Sequence, residues 1–174
     1  MKRLFLLALT FCMIFVLAAC GSGNAPVNEA PDDVMAEDFK IPLGDTGAKI
    51  DIPPEMGFET YESEFNEFYG GGPNGEWKII VNTDLKSDLT DCTLAEYANL
   101  TAQANGAEGA AQDADGNYYF IYRNEADSDK VYKCYTAVRE DAEKYYRVTL
   151  YCFDDLWDIY SDRFAEWATT VEVE

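Results

Sequence analysis

The chain has 174 residues, among them 33 Asp or Glu and 13 Lys or Arg, and it contains no histidine. The missing histidine excludes Ser-His-Asp and Cys-His catalysis and every metal site that needs an imidazole ligand. The net charge of −20 argues against a nucleic-acid partner, because such proteins neutralise phosphates with clustered Lys and Arg. An apolar share of 48% excludes a wholly disordered chain and can fill one core.

The N-terminal residues have the pattern of a signal peptide. Two basic residues precede an apolar stretch, residues 4–17, which is shorter than the roughly 20 residues of a membrane-spanning helix. The stretch ends in Leu17-Ala18-Ala19-Cys20, which resembles the lipobox of bacterial lipoproteins. This resemblance implies cleavage of a signal peptide, residues 1–19, between Ala19 and Cys20, and a diacylglycerol on the Cys20 sulfur. We therefore predict a lipid-anchored protein on the extracytoplasmic face of the bacterial cell membrane. An ordinary secretory signal or an uncleaved anchor is the alternative.

A change in composition divides the rest of the chain. Residues 20–39 begin with the lipidated cysteine and contain two prolines, five acidic side chains and no basic one. That composition is typical of a flexible acidic tether, and an interaction tail is the alternative. Residues 40–174 predict a single globular domain, in which 11 basic and 28 acidic residues give a net charge of −17.

Short extended segments open this domain. Residues 48–52 and 57–61 flank two prolines and predict a hairpin. Residues 65–69 predict a third strand, and residues 70–75 predict a glycine-rich loop. Residues 77–82 are β-branched or aromatic and predict a further strand.

The pattern then changes to that of a helix. Thr93 and Glu96 form a capping box at the start of a helix that ends near residue 104. A loop of small residues follows and ends in a turn at 115–117. Three strands separated by short polar turns then predict an antiparallel meander. These strands are predicted at residues 118–123, 131–139 and 145–153.

The last elements complete an α+β pattern. A helix is predicted over residues 154–168, and residues 171–173 predict an edge strand. The apolar stripe of this helix consists of Leu156, Ile159, Tyr160, Phe164 and Trp167. The order of elements predicts an α+β fold, with a largely antiparallel sheet packed with two helices.

Three segments of the domain resemble PsbP-like domains. They are the proline-containing segment 50–58, the helix start Thr-Leu-Ala-Glu-Tyr at 93–97, and the aromatic helix end at 167–170. The resemblance implies an α/β/α sandwich with an accessory, binding or assembly role and no catalytic signature.

Three cysteines follow Cys20, and two of them lie on neighbouring strands of the predicted meander. If the turn between these strands is centred on Ala142, Cys134 and Cys152 lie on one face of the sheet. A disulfide between them is one prediction for a protein outside the cytoplasm, and two buried free thiols are the alternative. No C-x-x-C pair is present, so we expect no structural zinc. We also expect no other metal and no cofactor.

Tyrosines and basic residues alternate along the meander strands. Their parity along the strands places them on one sheet face if the strands point these sets the same way. Such a face could bind a ligand or partner, because tyrosine rings stack on sugars or peptides and arginines pair with carboxylates. The predicted ligand face consists of Tyr119, Arg123, Lys133, Tyr135, Arg147 and Tyr151. The alternative is a face covered by helices, with its charges paired to neighbouring carboxylates.

These features predict a membrane-anchored lipoprotein whose PsbP-like domain has a non-catalytic binding or accessory role. The expected partners are the membrane, through the lipid on Cys20, and an envelope protein or a small ligand. One alternative is a small-ligand or glycan binder that uses the Tyr/Arg face. The other is a carboxylate-dependent hydrolase, but the sequence singles out no pair of carboxylates. We therefore predict no enzymatic activity.

Overall fold

The computed structural model describes residues 40–89, 91–127 and 130–174, which all belong to one compact unit. The predicted signal peptide, the lipidation site Cys20 and the tether lie outside the described residues. Neither helix in the described part of the chain is long and apolar enough to cross a membrane.

The described residues form ten strands in two sheets, and all strand pairs are antiparallel. In chain order the strands are β1 (Lys40–Pro42), β2 (Ala48–Asp51), β3 (Glu59–Thr60), β4 (Phe68–Gly71), β5 (Trp77–Leu85), β6 (Ala111–Gln112), β7 (Tyr118–Asp127), β8 (Lys130–Glu140), β9 (Lys144–Phe153) and β10 (Glu172–Val173). The main sheet has the order β3-β4-β5-β9-β8-β7-β6, and the small sheet has the order β1-β2-β10. The meander β7-β8-β9 confirms the prediction from the sequence.

One helix packs on each face of the main sheet. Helix α1 (Leu94–Ala104) packs on one face, in a cluster with Phe120 and Val138. Helix α2 (Trp157–Thr169) packs on the opposite face, in a cluster with Leu150. The predicted α+β class, with a largely antiparallel sheet between two helices, is therefore confirmed.

The larger core lies beneath α2 and includes residues from both sheets. Alternate residues of β5 and β9 point into it, as expected for strands with one face buried. Its fully buried members include Leu43, Ile50, Ile79, Val81, Val148, Leu150 and Phe164. Because this core joins both sheets to α2, we expect them to unfold together.

The predicted capping box of α1 is present. The Thr93 hydroxyl accepts a hydrogen bond from the Glu96 amide at 3.3 Å, and the Glu96 carboxylate accepts one from the Thr93 amide at 2.9 Å. Two amides that the first helical turn cannot pair are thereby satisfied. The helix ends at Ala104, close to the predicted position.

The predicted hairpin between residues 48–52 and 57–61 is wrong. Strand β2 pairs with β1 on one side and β10 on the other, so both of its edges are occupied. Strand β3 pairs instead with β4 at the edge of the main sheet. A 3-10 turn at Pro54–Met56 separates β2 from β3, and Gly57 follows it with a φ of +63°. The two prolines therefore connect two sheets, and they do not close a hairpin.

Glycines predicted to lie in a loop form part of a strand. Strand β4 begins at Phe68, later than predicted, and continues through Gly70 and Gly71. A Cβ atom on Gly71 would collide with the carbonyl oxygen of Trp77 on the neighbouring strand β5. The close approach of these two strands therefore requires glycine at this position.

The C-terminal helix starts at Trp157, after a 3-10 turn at Asp154–Leu156 that the sequence pattern assigned to the helix. Tyr160, Phe164 and Trp167 are buried, as predicted. Ile159 is 59% exposed, so the predicted stripe is wrong at this residue. The predicted edge strand is confirmed as β10, which pairs with β2.

Arg139 connects strand β8 to the end of α2. Its guanidinium donates hydrogen bonds to the carbonyl oxygens of Ala168 at 2.7 Å and Val171 at 3.3 Å. The last carbonyl groups of a helix lack partners within the helix, and a cation at this end also interacts favourably with the helix dipole.

Replacing Arg139 by methionine should lower the free energy of unfolding by about 2–3 kcal/mol, because half-buried carbonyls lose a charged donor. Methionine keeps most of the apolar part of the arginine side chain, so the loss of stability measures mainly the lost hydrogen bonds. Urea denaturation measures the change, and Arg163→Met, at an exposed position of α2, is the matched control. Equal effects of the two substitutions would contradict the assigned role of Arg139.

Candidate functional site

The predicted Tyr/Arg ligand face is divided between the two faces of the main sheet. Strand pairing places Lys133 opposite Cys152 and Tyr135 opposite Leu150, so Lys133 and Tyr135 lie on the α2 face. By the same register, Tyr119 and Arg123 also lie on that face. Arg147 and Tyr151 lie on the α1 face. The prediction of a single ligand face for Tyr119, Arg123, Lys133, Tyr135, Arg147 and Tyr151 is therefore wrong.

The turn between β8 and β9 explains this error. The prediction centred the turn on Ala142, but Glu140 pairs with Tyr145, so the turn is centred between Ala142 and Glu143. A shift of one residue in register moves every side chain of a strand to the other face. Asp141 sets the actual register, because its carboxylate accepts hydrogen bonds from the amides of Glu143 at 2.6 Å and Lys144 at 2.7 Å.

On the α2 face the predicted ligand residues have structural partners. The Lys133 ammonium lies 4.7 Å from the ring centre of Trp157 at the start of α2. The rings of Tyr119 and Tyr135 stack at 5.0 Å. Arg123 forms an ion pair at 3.3 Å with Asp154. This arrangement matches the alternative interpretation, in which the charged side chains pair with their neighbours.

The same register separates the two cysteines of the meander. Cys134 lies opposite Tyr151, whereas Cys152 lies opposite Lys133, so the two thiols point to different faces of the sheet. Both are buried and free. The predicted disulfide between Cys134 and Cys152 is therefore wrong, and the two residues are the buried thiols of the alternative.

Alkylation should show the free thiols directly. When the protein is unfolded without a reductant, iodoacetamide should label Cys92, Cys134 and Cys152 completely, as read by mass spectrometry of peptides. Prior reduction should leave the labelling unchanged, because none of the three thiols is oxidised. Labelling of Cys134 and Cys152 that appears only after reduction would contradict the register.

The α1 face of the main sheet contains a cleft beyond the end of the helix. Helix α1 packs on the end of the face that carries Phe120, Val138 and Tyr145. The other end of the same strands forms a cleft of about 220 Å³. Its lining residues, which we call the tyrosine cleft, are Ile80, Tyr122, Asn124, Tyr132, Cys134, Thr149 and Tyr151.

Aromatic rings form one wall of the tyrosine cleft. The ring of Tyr132 lies edge-on to that of Tyr151 at 5.6 Å and stacks on Phe153 at 4.9 Å. Tyr69, on β4, interacts with Tyr151 and stands 5.1 Å from Tyr61. These separations lie in the range at which aromatic rings attract one another, so the wall is held in place by its own contacts.

The floor of the cleft consists of hydroxyl and thiol groups. The hydroxyls of Thr136 and Thr149 are 2.8 Å apart and buried. Burial, with the neighbouring Cys134 thiol, raises the pKa of Tyr122. Burial also raises the pKa of the Tyr151 phenol, and it raises the pKa of the Cys134 thiol to about 11. These groups are therefore protonated and uncharged at neutral pH.

Arg147 separates the cleft from α1. Its guanidinium lies 3.2 Å from the Asp84 carboxylate, which also accepts a hydrogen bond from the Tyr97 hydroxyl of α1. The positive charge of Arg147 is thus balanced by Asp84, and both side chains are partly exposed. Among the described residues, no three Cys, Asp or Glu side chains come together in a way that could hold a metal ion.

Comparisons with known proteins show a likeness in fold to solved structures. No protein-family model matches the sequence, and no match is found among curated proteins. The solution structure of cyanobacterial PsbP (CyanoP) from Synechocystis sp. PCC 6803 superposes with a TM-score of 0.51 and 15% identity, over 86% of this chain and 100% of that chain. The fold is PsbP-like. A crystal structure from Bacteroides thetaiotaomicron VPI-5482 has a TM-score of 0.46 and 8% identity, over 74% of this chain and 45% of that chain.

Of the cleft residues in this PsbP-like fold, the predicted ligand face included only Tyr151, and Cys134 was predicted only as a disulfide partner. Tyr122, Tyr132 and Thr149 were missed because their selection depends on the strand register. One signal in the sequence could have found them. Aspartate at the first position of a turn often binds the following amides, so Asp141 indicates a turn over residues 141–144 and the register that follows from it.

Proposed function

We propose that this protein is a membrane-anchored, non-catalytic binding protein that takes a small ligand in the tyrosine cleft. The observation that carries this proposal is the cleft itself. It is concave, it has aromatic walls, and it presents a few polar groups that converge on one space. Such sites are typical of small-ligand binding, whereas a protein partner would favour a broad, flatter surface.

The lining of the cleft favours binding over catalysis. The seven lining residues include no carboxylate, lysine or arginine. A carboxylate-dependent hydrolase needs two such groups facing one another across its substrate. The Cys134 thiol is a weak nucleophile, because burial raises its pKa to about 11 and keeps it protonated.

The anchoring part of the proposal is supported by the sequence of residues 17–20, which resembles a lipobox. The acidic tether and domain would be repelled by an anionic membrane surface. A lipid on Cys20 would hold the chain while this repulsion keeps the domain away from the bilayer. The cleft would then be accessible from the surrounding solution.

A panel of small metabolites tests the use of the cleft. A ligand of the native state raises the midpoint of thermal unfolding, by an amount that grows with its concentration relative to its Kd. At least one class of metabolite should stabilise the wild-type protein, and Tyr132→Ala should remove that stabilisation. Tyr119→Ala, a half-buried tyrosine on the opposite face, is the matched control and should keep it. Stabilisation that survives in Tyr132→Ala, or its absence throughout the panel, would contradict the proposal.

A further inference from the structure

The tyrosine cleft is uncharged although the domain around it is strongly acidic. Residues 40–174 carry 28 acidic and 11 basic side chains, yet none of them lines the cleft. Lys78, which lies near this part of the face, has its ammonium 5.5 Å from the ring centre of Tyr69. Arg147 is paired with Asp84. A charged ligand would therefore leave water for a site without an opposite charge, which is costly.

The cleft also contains more polar groups than a purely apolar ligand could use. The phenols of Tyr122, Tyr132 and Tyr151 and the hydroxyl of Thr149 all belong to its lining. The Tyr122 phenol is hydrogen-bonded to Cys134 and Thr136, and the Tyr151 phenol is hydrogen-bonded to Tyr69. A phenol can both donate and accept hydrogen bonds, so each keeps capacity for a ligand hydroxyl. An aromatic ligand with a single hydroxyl, such as p-cresol, would displace water from these groups and replace only part of its hydrogen bonds, which lowers affinity.

The volume of the cleft limits the ligand to one ring. At about 220 Å³ the cleft is smaller than the sites of drug-sized ligands, which occupy about 300–1,000 Å³. We infer that the ligand is a single uncharged saccharide ring, an inference that rests on the proposed use of the cleft for binding. A pyranose offers an apolar C–H face for the ring of Tyr132 or Tyr151. It also offers hydroxyls that can exchange hydrogen bonds with Thr149 and the phenols.

Saturation-transfer NMR with defined probes tests this inference. The full chain is purified in a detergent without a sugar headgroup, so that no carbohydrate is present beforehand. The neutral probes are methyl glycosides of glucose, galactose, mannose and N-acetylglucosamine. The charged probes are methyl glucuronide and glucosamine, and the aromatic probe is p-cresol. At least one neutral glycoside should receive saturation, and the charged probes should bind at least tenfold more weakly.

Variants connect this binding to the cleft. Tyr132→Ala should weaken binding of the neutral glycoside at least tenfold. Tyr132→Phe, which keeps the ring, should weaken this binding less. Tyr119→Ala should leave the affinity for the glycoside unchanged. Circular dichroism checks that each variant is folded. If Tyr132→Ala does not fold, binding by Tyr132→Phe is compared with binding by the wild type instead.

Two results would overturn the saccharide inference. Binding of p-cresol or a charged probe that depends on Tyr132, with no neutral glycoside bound, would overturn the ligand class and leave the binding role of the cleft intact. Absence of binding by every probe would also overturn the ligand class. The metabolite panel, which reads stabilisation by any compound, then decides separately whether the cleft binds a ligand at all.

Discussion

Replacing Phe164 by alanine should lower the free energy of unfolding by about 3–5 kcal/mol, the range found when a large aromatic side chain is removed from a core. Phe164 is 0% exposed. Its ring lies 5.7 Å from that of Tyr160 and 6.0 Å from that of Trp167, so its removal leaves a cavity between two rigid rings. Rigid neighbours relax little into a cavity, which keeps the cost high.

The chain offers a matched control of the same residue type. Phe65 is 89% exposed, and Phe65→Ala should change the free energy of unfolding by no more than about 0.5 kcal/mol. Urea denaturation monitored by circular dichroism measures both variants, because the midpoint shifts while the slope is preserved. A loss of less than about 1 kcal/mol for Phe164→Ala would show that the core beneath α2 is packed differently.

The size of this effect follows from the position of α2. The core that contains Phe164 also contains Ile50 of the small sheet and Leu150 of the main sheet. A cavity at Phe164 therefore weakens the contact of both sheets with the helix. A small domain has a total stability of about 5–15 kcal/mol, so this single substitution removes a large part of it.

Local patterns predicted the elements of this fold well. The capping box at Thr93 and Glu96 fixes the start of α1 by hydrogen bonds within four residues, and the sequence contains all the groups involved. The meander also depends on neighbours in the chain, because short polar turns leave little choice of partner. The predictions and the structure agree where contacts are close in sequence.

Pairing between distant residues could not be predicted in the same way. Strand β2 pairs with β10, more than 100 residues later in the chain, and this contact removes the edge that β3 would need for the predicted hairpin. Nothing within residues 48–61 indicates that partner. The glycines of β4 are a second example, because Gly71 is required by the approach of Trp77 on another strand.

The candidate site depends on register more than on any motif. Tyr151 and Arg147 were placed on the correct strand, but the one-residue error at Ala142 joined them to four residues of the opposite face. An amphipathic pattern cannot correct such an error here, because β9 is buried on both faces: Tyr145, Tyr146, Val148, Thr149 and Leu150 are all buried. Which side chains line the cleft therefore depends on the strand register, and the hydrogen bonds of Asp141, which lies outside the cleft, help to set that register.

Replacing Cys20 by serine should remove the added lipid mass from the protein completely, because serine lacks the sulfur that would carry the diacylglycerol. A diacylglycerol on this sulfur would provide two acyl chains, and each buried methylene would contribute about 0.8 kcal/mol to membrane binding. A single acyl chain gives only marginal binding, whereas two give stable anchoring. The polypeptide from residue 21 onward has 33 acidic and 11 basic residues, so an anionic bilayer would repel it and a lipid on Cys20 would have to supply the attraction.

Fractionation of cells and intact-mass spectrometry measure this effect together. Wild-type protein extracted from membranes should have the mass of the chain from Cys20 onward plus the added lipid. Cys92→Ser is the matched control: Cys92 is a half-buried thiol of the domain, and its loss should leave the protein in the membrane. Wild-type protein that carries no added lipid mass would contradict lipid anchoring through Cys20, and so would a Cys20→Ser variant that keeps that mass. Because this experiment reads only the anchor, it leaves the binding role of the tyrosine cleft to be decided by its own tests.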